Sequence, residues 1–192
     1  MVKDKLLDIK FRNKTICILG WYYWKEFYDN VNNLKNYFNI FIVAHRYNKI
    51  LDNLNLRYKL IRNIGFEYHG YNYFLRNRWN KKSDVLFLQD DLIILRENAI
   101  KEIFFKSYKF DFVKWYGKDK KGKLRKSGAR VIYCSNKILY LISKKTPGIV
   151  SSEVKEKRKA SFNVKLLKNK YKIKQTKKFY KYIIFCSKGK KI

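Results

Sequence analysis

The residues able to do chemistry in this chain gather where its apolar runs stop. Residues 85–88 (VLFL) lead directly into Gln89, Asp90 and Asp91. Two adjacent carboxylates placed after a buried segment repel each other and lose hydration, so they require a cation or hydrogen-bond donors. A hard divalent ion, held by one carboxylate and by substrate phosphates, meets that requirement. So does an aspartate capping the next helix or turn. Two other runs end in the same abrupt way: residues 15–19 (TICIL) at Gly20, Trp21 and Tyr22, and residues 40–44 (IFIVA) at His45 and Arg46. Trp21 there offers either a stacking face or a packing aromatic at a helix entry.

Other chemistries lack their residues. The chain has no Gly-x-Gly-x-x-Gly, no Walker lysine motif, no Gly-x-Ser-x-Gly elbow and no Cys/His dyad suggested by context. Dehydrogenase, ATPase and serine-hydrolase readings lose support accordingly. His45 and His69 are too few and too isolated for a metal cluster, and His69, between Tyr68 and Gly70, reads as a packed or hydrogen-bonded ring. Cys17, Cys134 and Cys186 are odd in number and each lies in an apolar stretch. They read as buried thiols of a reducing compartment, with neither disulfide nor zinc expected.

The strand ends need a scaffold, and the spacing of apolar residues supplies one. Residues 15–19, 40–44 and 85–88 are apolar at nearly every position, the mark of strands covered on both faces. Between them, residues 25–38 place Phe27, Val31, Leu34 and Phe38 at helical intervals, and residues 67–79 form an aromatic-rich helical segment. Strands alternating with helices predict an α/β fold: a mostly parallel, Rossmann-like sheet flanked by helices in a single domain. Further along, residues 97–108 read as a helix, 110–116 and 130–134 as strands, 137–143 as a short helix or second strand, 152–170 as helix and 180–186 as a last strand. Residues 51–60, rich in Asn, read as loop with a short strand near 58–61, and residues 118–126 (KDKKGKLRK) as a solvated basic loop. A chain that is 46% apolar and 18% aromatic can bury a core of this kind, and its one Pro leaves no Pro-rich linker. No apolar run approaches the roughly 20 residues a membrane span requires. Residues 16–24, the nearest to a signal-peptide core, carry two tryptophans, begin late and lack a small-residue cleavage site after them, so the chain is expected to be unexported.

Charge adds a partner class. Lys and Arg number 46 against 15 Asp and Glu, giving +31, and residues 113–192 hold 26 of the basic groups with only 3 acidic ones. A Lys-rich surface attracts polyanions diffusely. An anionic membrane, nucleic acid or a phosphorylated substrate would answer it, and so would plain solvent.

The order of these features resembles the nucleotide-sugar half of GT-A glycosyltransferases, particularly the small inverting type related to family 2. The likeness covers roughly residues 14–115 and is carried by Asn63-Ile64-Gly65 opening an aromatic helix, the helix returning to a hydrophobic strand, and that strand ending in the FLQDD element. In such enzymes an Asp-x-Asp element binds a divalent ion that bridges the donor diphosphate. The resemblance therefore implies Mn2+ or Mg2+ at Asp91, with Asp90 assisting because Gln89 stands where the family has its first Asp. It implies donor binding by Gly20, Trp21 and Tyr22 at the base, by His45 and Arg46 where the family usually has an Asp, and by Asn63 and Gly65. Residues 127–133 (SGARVIY) are similar to the strand before the acceptor region, after which the family expects a carboxylate base. Of Asp119, Glu153 and Glu156, Glu153 is the candidate, unless it simply favours a helix N-terminus.

The activity implied is that of a hexosyltransferase-like glycosyltransferase acting by metal-assisted single displacement. A nucleotide-sugar donor would bind residues 1–112, and a glycan, lipid-linked or other hydroxyl acceptor the basic portion 113–192 of the same domain. Arg130 and residues 118–126 would close over the diphosphate. The expected location is cytoplasmic, with peripheral contact at an anionic inner membrane face as one option. The competing reading is a non-enzymatic nucleic-acid-binding protein using the basic C-terminal surface. A metal-dependent nuclease is a third, supported by the Asp pair alone.

Overall fold

The computed structural model describes residues 14–63, 66–94, 98–115, 117–118, 124–125, 131–145, 173–176 and 183–185. Three of its strands, β1 (Thr15–Gly20), β2 (Asn39–Ala44) and β4 (Val85–Gln89), form the centre of a seven-stranded sheet. The sheet is completed by β3 (Arg57–Leu60), β6 (Phe112–Trp115), β9 (Val131–Cys134) and β10 (Ile173–Thr176), in the order β10-β6-β9-β4-β1-β2-β3. Only β9 runs antiparallel to its neighbours β4 and β6. The mostly parallel α/β sheet expected from the apolar runs is the sheet observed.

Both faces are covered, which explains why the central strands are apolar throughout. On one face Ile16, Ile18, Ile40, Ile42, Leu86 and Leu88 pack with Phe27, Tyr28 and Val31 of α1 (Lys25–Asn32) and with Ile100, Ile103 and Phe104 of α4 (Ala99–Ser107). On the other, Cys17, Leu19, Phe41, Val43, Val85 and Phe87 pack with Tyr71, Phe74 and Leu75 of α3 (Phe66–Asn77) and with Ile138 and Leu139 of α5 (Asn136–Lys145). Alternation with period two thus divides one apolar run between two cores. Cys17 and Cys134 lie fully buried in the second core, where burial pushes both thiols well above their ordinary pKa.

Several elements differ from the sequence reading. The helix expected over 25–38 ends at Asn32, and the chain continues in tighter turns, with Leu34, Lys35 and Tyr37 each donating to the carbonyl three residues back. The segment 51–60, expected as loop with a short strand near 58–61, contains a single helical turn, α2 (Ile50–Asn53), not expected there, and the parallel edge strand β3, one residue earlier than expected. The basic segment 118–126, expected as loop, carries parts of a small antiparallel ribbon, β7 (Gly117–Lys118) with β8 (Leu124–Arg125). Residues 137–143 belong to helix α5, and a short strand β5 (Leu92–Ile94), absent from the sequence reading, pairs with β11 (Ile183–Phe185). The helix expected over 152–170 lies outside the described residues, as do Cys186 and Arg130. Among the described residues, no helix is long and apolar enough to cross a membrane.

Candidate nucleotide site at the carboxyl edge of the sheet

Register fixes where the strand ends meet. Leu19 is level with Val43 on one side and Gln89 on the other, and Gly20 is level with Ala44. The ladder then runs one step further, with His45 N donating to the Gly20 carbonyl at 3.2 Å and Asp90 N to the Leu19 carbonyl at 3.2 Å. The three apolar-to-polar transitions of the sequence therefore lie side by side at one edge. They enclose a cavity of about 220 Å³ lined by Leu19, Trp21, Tyr22, His45, Asn63, Gln89 and Asp90. That is less than the roughly 300–1,000 Å³ of a site enclosing a whole small molecule, and suits one end of a larger ligand, such as a planar base.

Leu19 and Gln89 are cavity residues that the sequence reading did not assign. Paired strand residues share a face, and here it is the α3 face. Gly70 on α3 makes room for this arrangement. A Cβ at that position would sit 2.3 Å from Leu19 Cδ1 and 3.4 Å from His45 Nε2. The rings of His45 and His69 lie near-parallel at 6.3 Å, and Trp21 meets His45 edge-on at 6.3 Å.

Asp90 builds the wall opposite. Its Oδ2 accepts from three consecutive backbone amides, Trp21 N at 2.9 Å, Tyr22 N at 2.9 Å and Tyr23 N at 2.8 Å, and from the Tyr28 hydroxyl at 3.1 Å. Converging amides of this kind form an anion-binding concavity, and here the chain fills it with its own carboxylate. Tyr23 adopts φ 58°, left-handed backbone that a bulky residue holds only under external constraint. Its ring stacks on Tyr28 at 5.8 Å, and its hydroxyl donates to the Arg46 carbonyl. Gly20 lies beneath, where a Cβ would stand 3.0 Å from Tyr23 Oη and 3.1 Å from Tyr28 Oη.

Burial pushes the Asp90 carboxyl above the ordinary carboxylate range, against the opposing pull of the Tyr23, Trp21 and Tyr22 amides and the Tyr28 hydroxyl. Its other oxygen, Oδ1, is buried without a hydrogen-bond partner.

The remaining assigned residues divide clearly. Trp21, Tyr22, His45, Asn63 and Asp90 line the cavity, while Gly20 ends β1 beneath the loop. Arg46 stands beside the cavity, its guanidinium 5.3 Å from the Trp21 ring and 5.8 Å from that of Tyr23. Asp91 is buried at 3% exposure next to the cavity and is not among its lining residues. Gly65 and Glu153 lie outside the described residues. Among the described residues no three His, Cys, Asp or Glu side chains come together to hold a metal ion.

A third buried aspartate shows what a purely structural carboxylate looks like in this fold. Asp84, at the opposite end of β4, accepts from Lys14 Nζ at 3.0 Å, Tyr133 Oη at 2.7 Å and Asn136 N at 3.0 Å. It joins the starts of β1 and α5 far from the cavity.

No protein-family model matches the chain, and no curated protein matches it in sequence. Solved structures do match its fold. A structure assigned as a glucose-1-phosphate thymidylyltransferase from Bacillus anthracis superposes with TM-score 0.57 at 11% identity, covering 85% of each chain. The 4-diphosphocytidyl-2C-methyl-D-erythritol synthase of Anaerococcus prevotii gives 0.57 at 12%, covering 88% of each. A manganese complex of a Mycobacterium tuberculosis protein gives 0.53 at 6%, covering 86% of this chain and 87% of that one. The chain has the nucleotide-diphospho-sugar transferase-like fold, the α/β class that GT-A enzymes share with nucleotidyltransferases.

Proposed function

We propose that this chain is a glycosyltransferase of the small, inverting family-2 type, drawing a sugar from a nucleotide-sugar donor. The observation carrying this reading is the cavity at the carboxyl edge of β1, β2 and β4. It has an aromatic wall at Trp21 and Tyr22 and polar amides at Asn63 and Gln89. Those groups suit a planar heterocycle with hydrogen-bonding edges. Gly65, beyond Asn63 in the chain, and Arg46, beside Trp21, complete the proposed donor contacts.

The reaction is one displacement at the anomeric carbon. The acceptor oxygen forms its bond to that carbon as the bond to the diphosphate oxygen breaks, and the hydroxyl proton passes to a carboxylate, assigned to Glu153. The electron pair leaves with the nucleoside diphosphate. Mn2+ or Mg2+, when bound at Asp91, supplies positive charge against that leaving group. A glycan, lipid-linked or other hydroxyl acceptor is assigned to the basic portion 113–192, and the proposed setting is the cytoplasm, with peripheral contact at an anionic inner membrane face as one option.

Release of nucleoside diphosphate from a panel of nucleotide sugars, with and without Mn2+, tests the reading. Turnover of one donor class is expected, and Glu153→Gln should lower kcat by about 100-fold or more. The solved neighbours that transfer nucleotidyl groups favour a second reading, in which the same cavity takes a nucleoside triphosphate. Release of pyrophosphate from a triphosphate and a sugar phosphate, with no turnover of nucleotide sugars, would select it instead.

A further inference from the structure

We propose that Asp90 is a positioning residue rather than a metal or donor ligand: it holds the loop of Trp21, Tyr22 and Tyr23 so that the first two form the wall of the nucleoside cavity. The inference rests on the cavity being a nucleotide site.

Four donors between 2.8 and 3.1 Å converge on the single oxygen Oδ2. An oxygen so committed has no lone pair left for an ion, and Oδ1 is buried. Asp90 is itself fixed, since its amide continues the β4–β1 ladder onto Leu19. The carboxylate therefore transmits the position of the sheet edge to the loop. Two features show that the loop needs holding. Tyr23 sits in left-handed backbone at φ 58°, and three adjacent amides converge on the one carboxylate oxygen. Because Asp90 occupies that concavity, the phosphates of a bound nucleotide must be held elsewhere.

Amide hydrogen exchange and nucleotide binding, measured on the full chain, test this together. In Asp90→Ala the amides of Trp21, Tyr22 and Tyr23 should exchange at least about tenfold faster, with those of β1 and β2 unchanged. In Asp90→Asn, whose carboxamide oxygen can accept the same amides, protection should return. Metal-free binding of UDP, CDP, dTDP, ADP or GDP, whichever the wild type takes, should weaken about tenfold in the alanine variant and survive in the asparagine variant. If the alanine variant does not fold, the asparagine variant still decides. Retained metal-free affinity and a retained Mn2+ enhancement are the expected result. Loss of the Mn2+ enhancement alone would make Asp90 a metal ligand and overturn the inference, as would unchanged loop exchange in Asp90→Ala. If no nucleotide binds the wild type, the nucleotide reading fails, while the exchange data still report whether Asp90 holds the loop.

Discussion

At the scale of single residues, the site is organised by one carboxylate kept at a cost in stability. Burial raises the Asp90 pKa, so the folded chain holds its proton more tightly than the unfolded chain does. The folded form is therefore favoured below the ordinary carboxylate pKa of about 4, and that advantage is lost as pH rises through the elevated folded value. Asp90→Asn removes the titration. The melting temperature of the asparagine variant relative to wild type should thus climb as pH rises above about 4, and calorimetry across a pH series would show it. A difference constant with pH would contradict the shift.

Trp21 is the opposite case. At 36% exposure it contributes little to the fold, so Trp21→Ala should change stability by no more than about 0.5 kcal/mol. The same change should weaken nucleotide binding by about 1–3 kcal/mol if a base stacks there. Gly20→Ala should lose both, because a methyl group would crowd the Tyr23 and Tyr28 hydroxyls. Denaturant unfolding should show a cost of about 1–3 kcal/mol.

At the scale of elements, the two-sided sheet does the positioning. Phe104 of α4 is fully buried, with its ring 5.2 Å from Phe38 and 5.3 Å from Tyr133, tying the helix layer to β9. Phe104→Ala should cost about 3–5 kcal/mol in denaturant unfolding. Elements with this kind of burial were legible in the sequence. β1, β2 and β4 are apolar at nearly every position because each carries two cores, and α3 and α4 announce themselves by helical spacing. What was not legible had no such pattern. β10 is a strand of mixed polarity, and β5 is only three residues long. The polar ends of the strands could be found in the sequence because apolar residues stop there. Their roles could not, since the engagement of Asp90 with residues 21–23 depends on register between strands nearly 70 positions apart, as its contacts with Trp21, Tyr22 and Tyr23 show.

At the scale of the whole molecule, charge and cavity meet at one edge. Arg57 and Lys59 share the sheet face of Phe41 and Val43, and the Arg78 guanidinium lies 5.7 Å from the Phe41 ring. All three cations are exposed, and among the described residues none of them forms an ion pair. Exposed Arg46 and Arg62 continue this strip to His45 and Asn63 in the cavity. The nucleic-acid reading draws on the basic portion 113–192, and this strip would extend its polyanion surface. Under it, single-stranded DNA should bind with steep salt dependence, and reversing Arg57, Lys59 and Arg78 to Glu should flatten the slope of log affinity against log salt by roughly 2. Nucleotide binding in the cavity should not change. A slope that survives the reversal would place polyanion contact elsewhere on the basic surface.

The central claim is that the carboxyl edge of β1, β2 and β4 receives a nucleoside. Thermal unfolding in the presence of nucleoside diphosphates and nucleotide sugars, each with and without Mn2+, measures this most directly. One nucleoside class should raise the melting temperature of the wild type, and the rise should shrink in Trp21→Ala and lose its Mn2+ dependence in Asp91→Asn. No rise with any nucleotide, or a rise that Trp21→Ala leaves intact, would contradict it.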